Sequence, residues 1–282
     1  MSRQLPRPAE HVRPNYLRVF ATFAHNSLVR DMTFRWNFLL DAFTSLTWVL
    51  MNLGFYVLIF DHTVAISPGW DKYPFFVFLA TTLAINSLVQ AFFMPNAEEL
   101  SEKIRTGSLD FALLKPIDTQ FLVSLQKIEW SSLGNLIFSA ALLAFALSRL
   151  GYVPTPLQFA LYPIYLVCGV AMMYALMITL ASVGIWLGRN QNLYDFWFYI
   201  TNFSRYPMEI YSGPIGTPLR KVFTFIIPIL VVVNVPARLL ALPFDQQHWP
   251  LVLFALVATA ASLASSRWIF VRALESYRSA SS

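Results

Sequence analysis

Residues with reactive or metal-binding side chains are few in this sequence, and they are scattered. The histidines His11, His25, His62 and His248 lie outside the long apolar runs, and the single cysteine, Cys168, lies within one. His25 falls on the polar side of an amphipathic stretch, where a solvated histidine is more common than a metal ligand. No H-E-x-x-H, G-x-S-x-G or paired-acid motif occurs on an apolar run. We therefore expect no metal site, no catalytic centre and no disulfide framework.

The chain also lacks the motif with which many proteins bind nucleoside triphosphates. The loop G-x-x-x-x-G-K-[ST] cradles phosphates with the backbone N–H groups of a glycine-rich turn. The nearest approach here, GTPLRK at residues 216–221, lacks the second glycine. We expect this chain to bind no cofactor.

Polar side chains inside long apolar runs are the strongest candidates for contact with a solute, because polarity is costly in lipid. Asn86 and Gln90 lie in one run, and Asn202, Arg205 and Glu209 lie in a later one. They are candidates for a substrate pathway, although hydrogen bonding between helices explains them equally well. Arg205 and Glu209 are four residues apart, so an ion pair between them is a further possibility.

The polar segment PNAEELSEKIRTGSLDFALLKP, residues 95–116, has the signals of a capped helix. Asn96 can cap a helix whose third residue is Glu99, and Glu98 favours the positive N-terminus. Glu99 and Lys103 are spaced to pair on one face. These signals predict a short helix between two apolar runs.

The same segment also contains a stop and a restart. Gly107 supplies the left-handed residue that ends many helices. Ser108 can begin a second short helix, which ends before Pro116 because the residue preceding a proline avoids the helical region. The segment therefore predicts two short helices with a bend; the simplest alternative is a well-capped cytoplasmic loop that has no partner.

The composition of the whole chain is that of a membrane protein. Of its 282 residues, 57% are hydrophobic and 12% are charged, whereas about a quarter are charged in soluble domains. The mean hydropathy is +0.55. Several runs reach the roughly 20 residues that a helix needs to cross the hydrocarbon core, and they lack the alternation of barrel strands. The net charge of +5 fits basic residues on the cytoplasmic side and does not indicate a nucleic-acid partner.

Six membrane-spanning helices are predicted. Four are clear, and the fifth is aromatic but interrupted by Arg205, Pro207 and Glu209, which favours a protein-lined or wet outer end. The last apolar run ends in arginines. The predicted spans are about 36–60, 73–94, 128–147, 159–187, 192–212 and 250–270.

Two further elements flank these spans. Residues 14–32 have apolar side chains at helical spacing on one side, which predicts an interfacial helix; the alternative is a peripheral helix packed on a soluble domain. Residues 222–242 are apolar but contain breakers and polar groups, so a re-entrant hairpin on the outer side fits better than a straight span. Its interrupting residues are Pro228, Asn234, Pro236 and Arg238.

The distribution of basic residues orients the spans. Six spans place fourteen of the twenty Lys and Arg residues inside, which predicts that both termini face the cytosol. The inner set is Arg3, Arg7, Arg13, Arg18, Arg30, Arg35, Lys103, Arg105, Lys115, Lys127, Arg189, Arg267, Arg272 and Arg278, and the outer set is Lys72, Arg149, Arg205, Arg220, Lys221 and Arg238.

Several stretches of the sequence look like the hallmarks of a known family. They are IRTGSLDFALLKPID at 104–118, SLQKIEW at 124–130, RYPMEIY at 205–211 and FTFIIPILVVVNVPARLL at 223–240. In this order they resemble an uncharacterised branch of the type-two ABC exporter permeases. The resemblance implies an all-α membrane protein with six spans, an amphipathic N-terminal connecting helix, a cytoplasmic coupling helix and an outer re-entrant hairpin before the last span.

The resemblance also implies partners and site residues. A separate nucleotide-binding subunit would hold ATP and Mg²⁺ and dock on the coupling segment, residues 95–120, and a second copy or a related permease would complete the pathway. Leu100, Ile104, Leu109 and Phe111 would supply its apolar contact. The expected coupling residues are Glu98, Glu99, Glu102, Lys103, Arg105, Gly107, Leu109, Asp110 and Phe111, and the outer gate is Pro228, Asn234, Pro236 and Arg238.

The expected organisation is a tail and connecting helix at 1–35, one transmembrane domain at 36–272 with the re-entrant element near 214–245, and a tail at 273–282. The expected function is that of a half-permease in an ATP-driven exporter of an amphipathic or lipid-like substrate, in the bacterial cytoplasmic membrane. An ion-coupled carrier or channel subunit is the main alternative, followed by an intramembrane enzyme and a structural anchor.

Overall fold

The computed structural model describes residues 14–187, 191–243 and 249–277. The first half contains α1 (Tyr16–Thr33), α2 (Arg35–His62), β1 (Ala65–Ser67), β2 (Trp70–Asp71), α3 (Lys72–Phe92), α4 (Met94–Thr106), α5 (Leu109–Leu113) and α6 (Thr119–Leu125). The second half contains α7 (Trp130–Arg149), α8 (Pro156–Leu187), α9 (Gln191–Asn202), α10 (Gly213–Lys221), α11 (Ile229–Ala241) and α12 (Trp249–Ser276). Strands β1 and β2 form a small antiparallel hairpin.

Five helical stretches within the described residues are long and apolar enough to cross a membrane. They match the four clear predicted spans and the last one, so the chain is an all-α membrane protein. In the structure they are Arg35–His62, Lys72–Thr106, Trp130–Arg149, Pro156–Trp186 and Trp249–Ser276.

The predicted fifth span is not one continuous helix. Helix α9 has 12 residues and gives way to two short 3₁₀ turns at Phe203–Arg205 and Met208–Ile210. Tyr206 adopts an extended backbone conformation, because Pro207 disfavours the helical region for the residue before it. The chain therefore leaves the helix where the sequence becomes polar.

Helix α8 is central, and it packs against α3, α11 and α12, while α3 also packs along α7. Helix α11 is buried over almost its whole length. Helix α2 lies at the edge of the bundle. In the most apolar part of this helix, only 6% of the residues are buried within the chain. Its apolar side chains are therefore available to lipid or to another chain.

Helices α8 and α11 approach closely at Gly169. Pro236 of α11 has no N–H to donate to the carbonyl of Val232, which lies four residues before it. A Cβ built at Gly169 would lie 2.7 Å from that carbonyl oxygen and 2.9 Å from Cδ1 of Ile85. Glycine is required here because of the space, not because of its backbone conformation.

The segment before the last span is a bent pair of helices. Helix α10, extended by a π-helical turn at Val222–Ile226, meets α11 at an angle of 87°. The break falls at Ile227 and Pro228, because proline cannot continue the hydrogen-bond ladder of the preceding turn. The sequence predicted an interruption, and the structure places it at the first of the two prolines.

Both ends of this bent pair lie at the end of the bundle that carries β1 and β2, which we call the β-hairpin end. Shortly before α10, Glu209 accepts a hydrogen bond of 2.7 Å from the Trp70 indole. At the end of α11, the carbonyl of Leu240 accepts a hydrogen bond of 2.6 Å from the Tyr152 hydroxyl, which precedes α8. The bent pair is thus fastened at both of its ends near this end of the bundle, and its re-entrant insertion into the membrane stays a prediction.

Helices α1, α4, α5 and α6 gather with the last turns of α12 at the opposite end, which we call the α4–α6 end. The hydroxyl of Ser27 in α1 accepts a hydrogen bond of 3.0 Å from the backbone N–H of Ile128. Arg267 of α12 pairs with Asp118 at 2.5 Å. The described beginning and end of the chain therefore lie at one end of the bundle.

Some predicted features lie outside the described residues. They are the tail residues 1–13 and 278–282, the last residues of the predicted re-entrant element, 244–245, the basic residues Arg3, Arg7, Arg13, Arg189 and Arg278, and the histidines His11 and His248.

Candidate functional site

Helix α4 begins earlier than the predicted cap. It starts at Met94, directly after α3, so Asn96 lies within the helix and is buried. Its amide donates to the carbonyl of Lys127 at 2.7 Å, and its carbonyl accepts from the N–H of Lys127 at 2.8 Å. The capping assignment for Asn96 is wrong. The residue instead ties α4 to the segment that precedes α7.

The apolar face of α4 is directed into the chain. Leu100, Ile104 and Leu109 are buried in one cluster with residues of α6, α8 and α12, such as Ile178 and Phe270. Positions 100 and 104 share a face one turn apart, and burial of that face against the bundle holds the helix in place. The expectation that these three side chains form the apolar contact with a partner is therefore wrong.

The exposed apolar side chains of this segment lie further along the chain. Phe111 is 72% exposed and Leu114 is 81% exposed, although both flank the buried Leu109 and Ala112. Large apolar side chains with this exposure at the bundle end, outside the apolar helical stretches, indicate an interaction surface. Of the four residues predicted for apolar contact, Phe111 alone has the required exposure.

The exposed charges of α4 form a short row beside that surface. Glu98, Glu102 and Arg105 face outward, and Arg105 donates two hydrogen bonds to Glu102, at 2.5 and 2.8 Å. We define a surface by Glu98, Glu102, Arg105, Phe111 and Leu114, and call it the coupling surface after the role that the sequence resemblance implies.

Glu99 and Lys103 pair at 3.2 Å, as their spacing predicts. They are directed toward the start of α7 rather than outward: Glu99 also lies 3.2 Å from the ammonium of Lys127, and Lys103 donates to Gln126 at 2.9 Å. Both side chains are largely covered. They hold α4 in position behind the coupling surface.

Gly107 adopts the left-handed conformation, with φ of 73°, and ends α4 as predicted. The next helix begins at Leu109, although the Ser108 side chain does not cap it and instead contacts the hydroxyl of Thr106 at 2.8 Å. Burial raises the pKa of the Tyr277 phenol, and the nearby carboxylate of Asp110 in α5 raises it further. The bend at Gly107 thus directs α5 toward the end of α12.

Asp118 links the segment to the last span. Its carboxylate accepts from the N–H of Phe121, which caps α6, and from the guanidinium of Arg267. Burial alone would raise the pKa of Asp118, but these hydrogen bonds outweigh it and lower the pKa. No local feature of the sequence indicates this partnership, because the two residues are 149 positions apart.

Two of the five predicted pathway residues share a cavity. Asn86 of α3 and Arg205 of the first 3₁₀ turn line a cavity of about 120 Å³, together with Trp48, Asn52 and Tyr56 of α2. This cavity lies between helices that cross the apolar part of the bundle. It is the strongest candidate for contact with a solute.

The other predicted pathway residues lie elsewhere. Gln90 is exposed, and it does not line this cavity. The side-chain oxygen of Asn202 is buried and has no hydrogen-bond partner among the described residues. Glu209 faces the β-hairpin end and not the cavity.

Glu209 pairs with Arg238 and not with Arg205, so the ion pair considered from sequence spacing is not formed. The 3₁₀ and extended residues between positions 205 and 209 remove the helical spacing that would bring them together. The guanidinium of Arg205 instead lies 5.3 Å from the centroid of the Phe198 ring. The indole of Trp70 donates to Glu209. The sequence of the loop that contains Trp70 gives no indication of this partner.

The predicted gate residues all belong to the bent pair. Pro228 forms the break, and Pro236 lies inside α11. Asn234 is fully buried, where its oxygen accepts from the N–H of Met208 at 2.9 Å and its amide donates to the carbonyl of Leu230 at 2.7 Å. Arg238 lies between Glu209 and the Trp70 ring. These contacts fasten the bent pair to the preceding turns.

An all-α chain with five long apolar helices and a bent pair at one end is a multi-pass membrane protein. Comparison with protein families gives a narrower result. The family described as "ABC-2 family transporter protein" matches residues 46–281, so the chain belongs to that family. No curated protein and no solved structure matches the chain.

Membership has direct consequences. Proteins of this family are membrane permease components of ABC transporters, have no catalytic activity themselves and work with an ATP-binding subunit. The recognition of a type-two ABC permease from sequence is confirmed at the level of the family. The narrower branch stays a prediction.

Proposed function

We propose that this chain is the membrane half of an ATP-driven exporter, which moves an amphipathic or lipid-like substrate outward by alternating access. The observation that carries the proposal is the coupling surface, an exposed apolar and charged patch on an element that is itself firmly packed. ATP and Mg²⁺ would be bound by the partner subunit, which would dock on this patch.

The connection between α3 and α4 supplies a route for the coupling. The two helices form one helical stretch, Lys72–Thr106, and the hydrogen bonds from Phe93 to Val89 and from Ala97 to Phe93, at 2.9 and 3.0 Å, continue the ladder across the junction. Pro95 has no N–H to continue the ladder, and the carbonyl of Ala91 accepts instead from the N–H of Glu129 at 2.9 Å. A displacement of α4 would be passed to α3 through the hydrogen bonds on either side of this position. Asn86 lies on that helix and lines the cavity.

The remaining features fit a half-permease that works as a dimer. The poorly covered face of α2 would meet lipid on one side and a second copy, or a related permease, on the other.

We further propose that both termini lie in the cytosol of a bacterium and that the protein resides in the cytoplasmic membrane. With Cys168 replaced, cysteines introduced at Ser2 and Ser282 should both resist impermeant thiol reagents in intact cells. Labelling at one end only would contradict the six-span arrangement.

The central test uses two matched arginines. Arg105→Glu reverses a charge on the coupling surface, and Arg272→Glu reverses one in the exposed pair with Glu275, which has nearly the same spacing and exposure. Each variant and Phe111→Ser would be expressed with the ATP-binding subunit that co-purifies with the parent chain. Recovery of that subunit would be measured, along with ATP-dependent export, in one membrane preparation.

We expect Arg105→Glu and Phe111→Ser to reduce recovery of the ATP-binding subunit, because a reversed charge and a lost apolar contact both impair partner fit. Arg272→Glu should behave like the parent chain. If all variants bind the subunit and support export equally, the coupling assignment is wrong. Equal loss in all three would indicate a general effect of the substitutions.

A further inference from the structure

The cavity that contains Asn86 and Arg205 has an unusual set of walls. Helices α2, α3 and α7 provide apolar side chains, while Arg205 provides a cation and Asn86 an amide. Tyr56 adds a phenol, whose hydroxyl is hydrogen-bonded to Tyr206. No Asp or Glu of the described residues lines the cavity.

The cation in this cavity has no carboxylate partner among the described residues. Its guanidinium lies 5.3 Å from the centroid of the Phe198 ring. Glu209, the nearest acid along the chain, is held by Arg238 and Trp70. Asn86 makes no hydrogen bond to the described part of the chain. Arg205 is exposed and Asn86 is partly buried, and the two side chains present donors that no described protein acceptor satisfies.

The size of the cavity limits what these donors can bind. A volume of about 120 Å³ is well below the roughly 300–1,000 Å³ of pockets that enclose drug-sized molecules. It accommodates a small anionic group but not a whole amphiphile. The neighbouring face of α2 continues as exposed apolar surface through Trp48, Met51 and Phe55, along which an apolar tail can lie.

We propose that this cavity binds the anionic head group, a phosphate or carboxylate, of an amphiphile whose tail lies along α2. Arg205 supplies the charge and a planar set of N–H donors that suits these groups, and Asn86 supplies a further hydrogen bond. The conclusion that such an amphiphile is the transported substrate rests on the proposed function. Binding itself does not depend on it.

The test measures binding to the full chain, reconstituted without its ATP-binding partner in nanodiscs of zwitterionic lipid. Calorimetric titration would compare dioctanoyl phosphatidic acid with dioctanoyl phosphatidylcholine and with inorganic phosphate. Arg205→Gln removes the charge, Arg205→Lys restores it without the planar donors, and Asn86→Leu removes the amide. Arg149→Gln is the matched control, because Arg149 also has a ring partner, Phe145 at 5.9 Å, and does not line the cavity.

We expect the parent chain to bind phosphatidic acid in preference to phosphatidylcholine, with no measurable binding of inorganic phosphate. Arg205→Gln should weaken phosphatidic acid binding about 10- to 100-fold, as for loss of charge-assisted hydrogen bonds. Arg205→Lys and Asn86→Leu should have smaller effects, and Arg149→Gln none.

Three results would overturn the proposal: equal binding by the parent and Arg205→Gln, equal weakening by Arg149→Gln, or displacement of the lipid by inorganic phosphate at similar concentrations. The first two would show that Arg205 is not the determinant, and the third would show a site for free anions. If binding depends on Arg205 but ATP-driven export of the lipid is absent in the complete complex, the site stands and the exporter assignment fails.

Discussion

At each end of the bundle an arginine reaches a carboxylate on a distant segment, but the surroundings of the two pairs differ. Arg238 and Glu209, at the β-hairpin end, are 16% and 18% exposed. Arg267 and Asp118, at the α4–α6 end, are 49% and 31% exposed. The first pair is enclosed by the bent helices and Trp70, whereas water reaches the second.

The difference shows how each end is held. A buried pair makes the surrounding elements depend on it, since removal of one partner leaves an uncompensated charge. An exposed pair contributes little because water and salt replace the lost partner. The α4–α6 end relies on apolar packing of Leu100, Ile104 and Leu109, which leaves its charges available for another chain.

The largest effect is expected at the buried pair. Glu209→Ala leaves Arg238 without its carboxylate and removes the acceptor of the Trp70 indole, so the free energy of unfolding should fall by about 3–5 kcal/mol. Glu275→Ala breaks an exposed pair with Arg272 and should cost less than about 1 kcal/mol. Chemical unfolding of both variants in the same mixed micelles measures the difference. If Glu209→Ala and Glu275→Ala lose similar amounts of unfolding free energy, the two ion pairs do not differ in the way proposed.

The second-largest loss of unfolding free energy is expected at Gly169, where α8 closely approaches α11 of the bent pair. Gly169→Ala forces a methyl group against the carbonyl of Val232, a backbone atom that cannot move alone, and should cost about 1–3 kcal/mol in unfolding free energy. A methyl group added at Gly134 in α7 would have no neighbour within 4 Å, so Gly134→Ala is the control and should be neutral or slightly stabilising. A fully stable Gly169→Ala variant would show that α8 and α11 are not in tight contact.

A smaller effect is expected at the bend of the α4–α6 end. Gly107→Val places a β-branched residue in the left-handed conformation, and the cost should be about 1–2 kcal/mol. Gly107→Asn should retain most of the stability, because asparagine tolerates this conformation. The unfolding midpoints of the two variants provide the measurement. If valine and asparagine are equally tolerated, the bend does not require the left-handed conformation at position 107.

The smallest effect is expected for Asp118→Asn, which keeps an acceptor for the cap of α6 but removes the charge that faces Arg267. The folded-state pKa of Asp118 is below its ordinary value of 3.8, so the ion pair stabilises the fold above that pH and ceases to do so as the pH falls through the folded-state pKa. The parent should exceed the variant by about 0.2–1 kcal/mol at pH 7. The difference should vanish in strong acid. A difference that persists there would have a cause other than charge.

Local rules were sufficient for much of the architecture. Long apolar runs predicted the five helices that are long and apolar enough to cross a membrane, because a helix that satisfies its own backbone is the form such a run takes in lipid. Gly107 predicted the stop of α4, and the spacing of Glu99 and Lys103 predicted their pair. The prolines of the segment before α12 predicted an interrupted helix. Each of these depends on residues within one continuous stretch of the sequence.

Contacts between segments that are distant in the sequence could not be predicted from these local rules. Asn96 has the sequence context of a helix cap but bonds to Lys127, and Glu209 is spaced for Arg205 but pairs with Arg238. Leu100 and Ile104 form an apolar stripe that fits a partner or the chain's own core equally well, and only packing against α8 and α12 selects the core. A polar or apolar side chain determines the kind of neighbour it needs, whereas the path of the backbone between helices determines which neighbour is within reach.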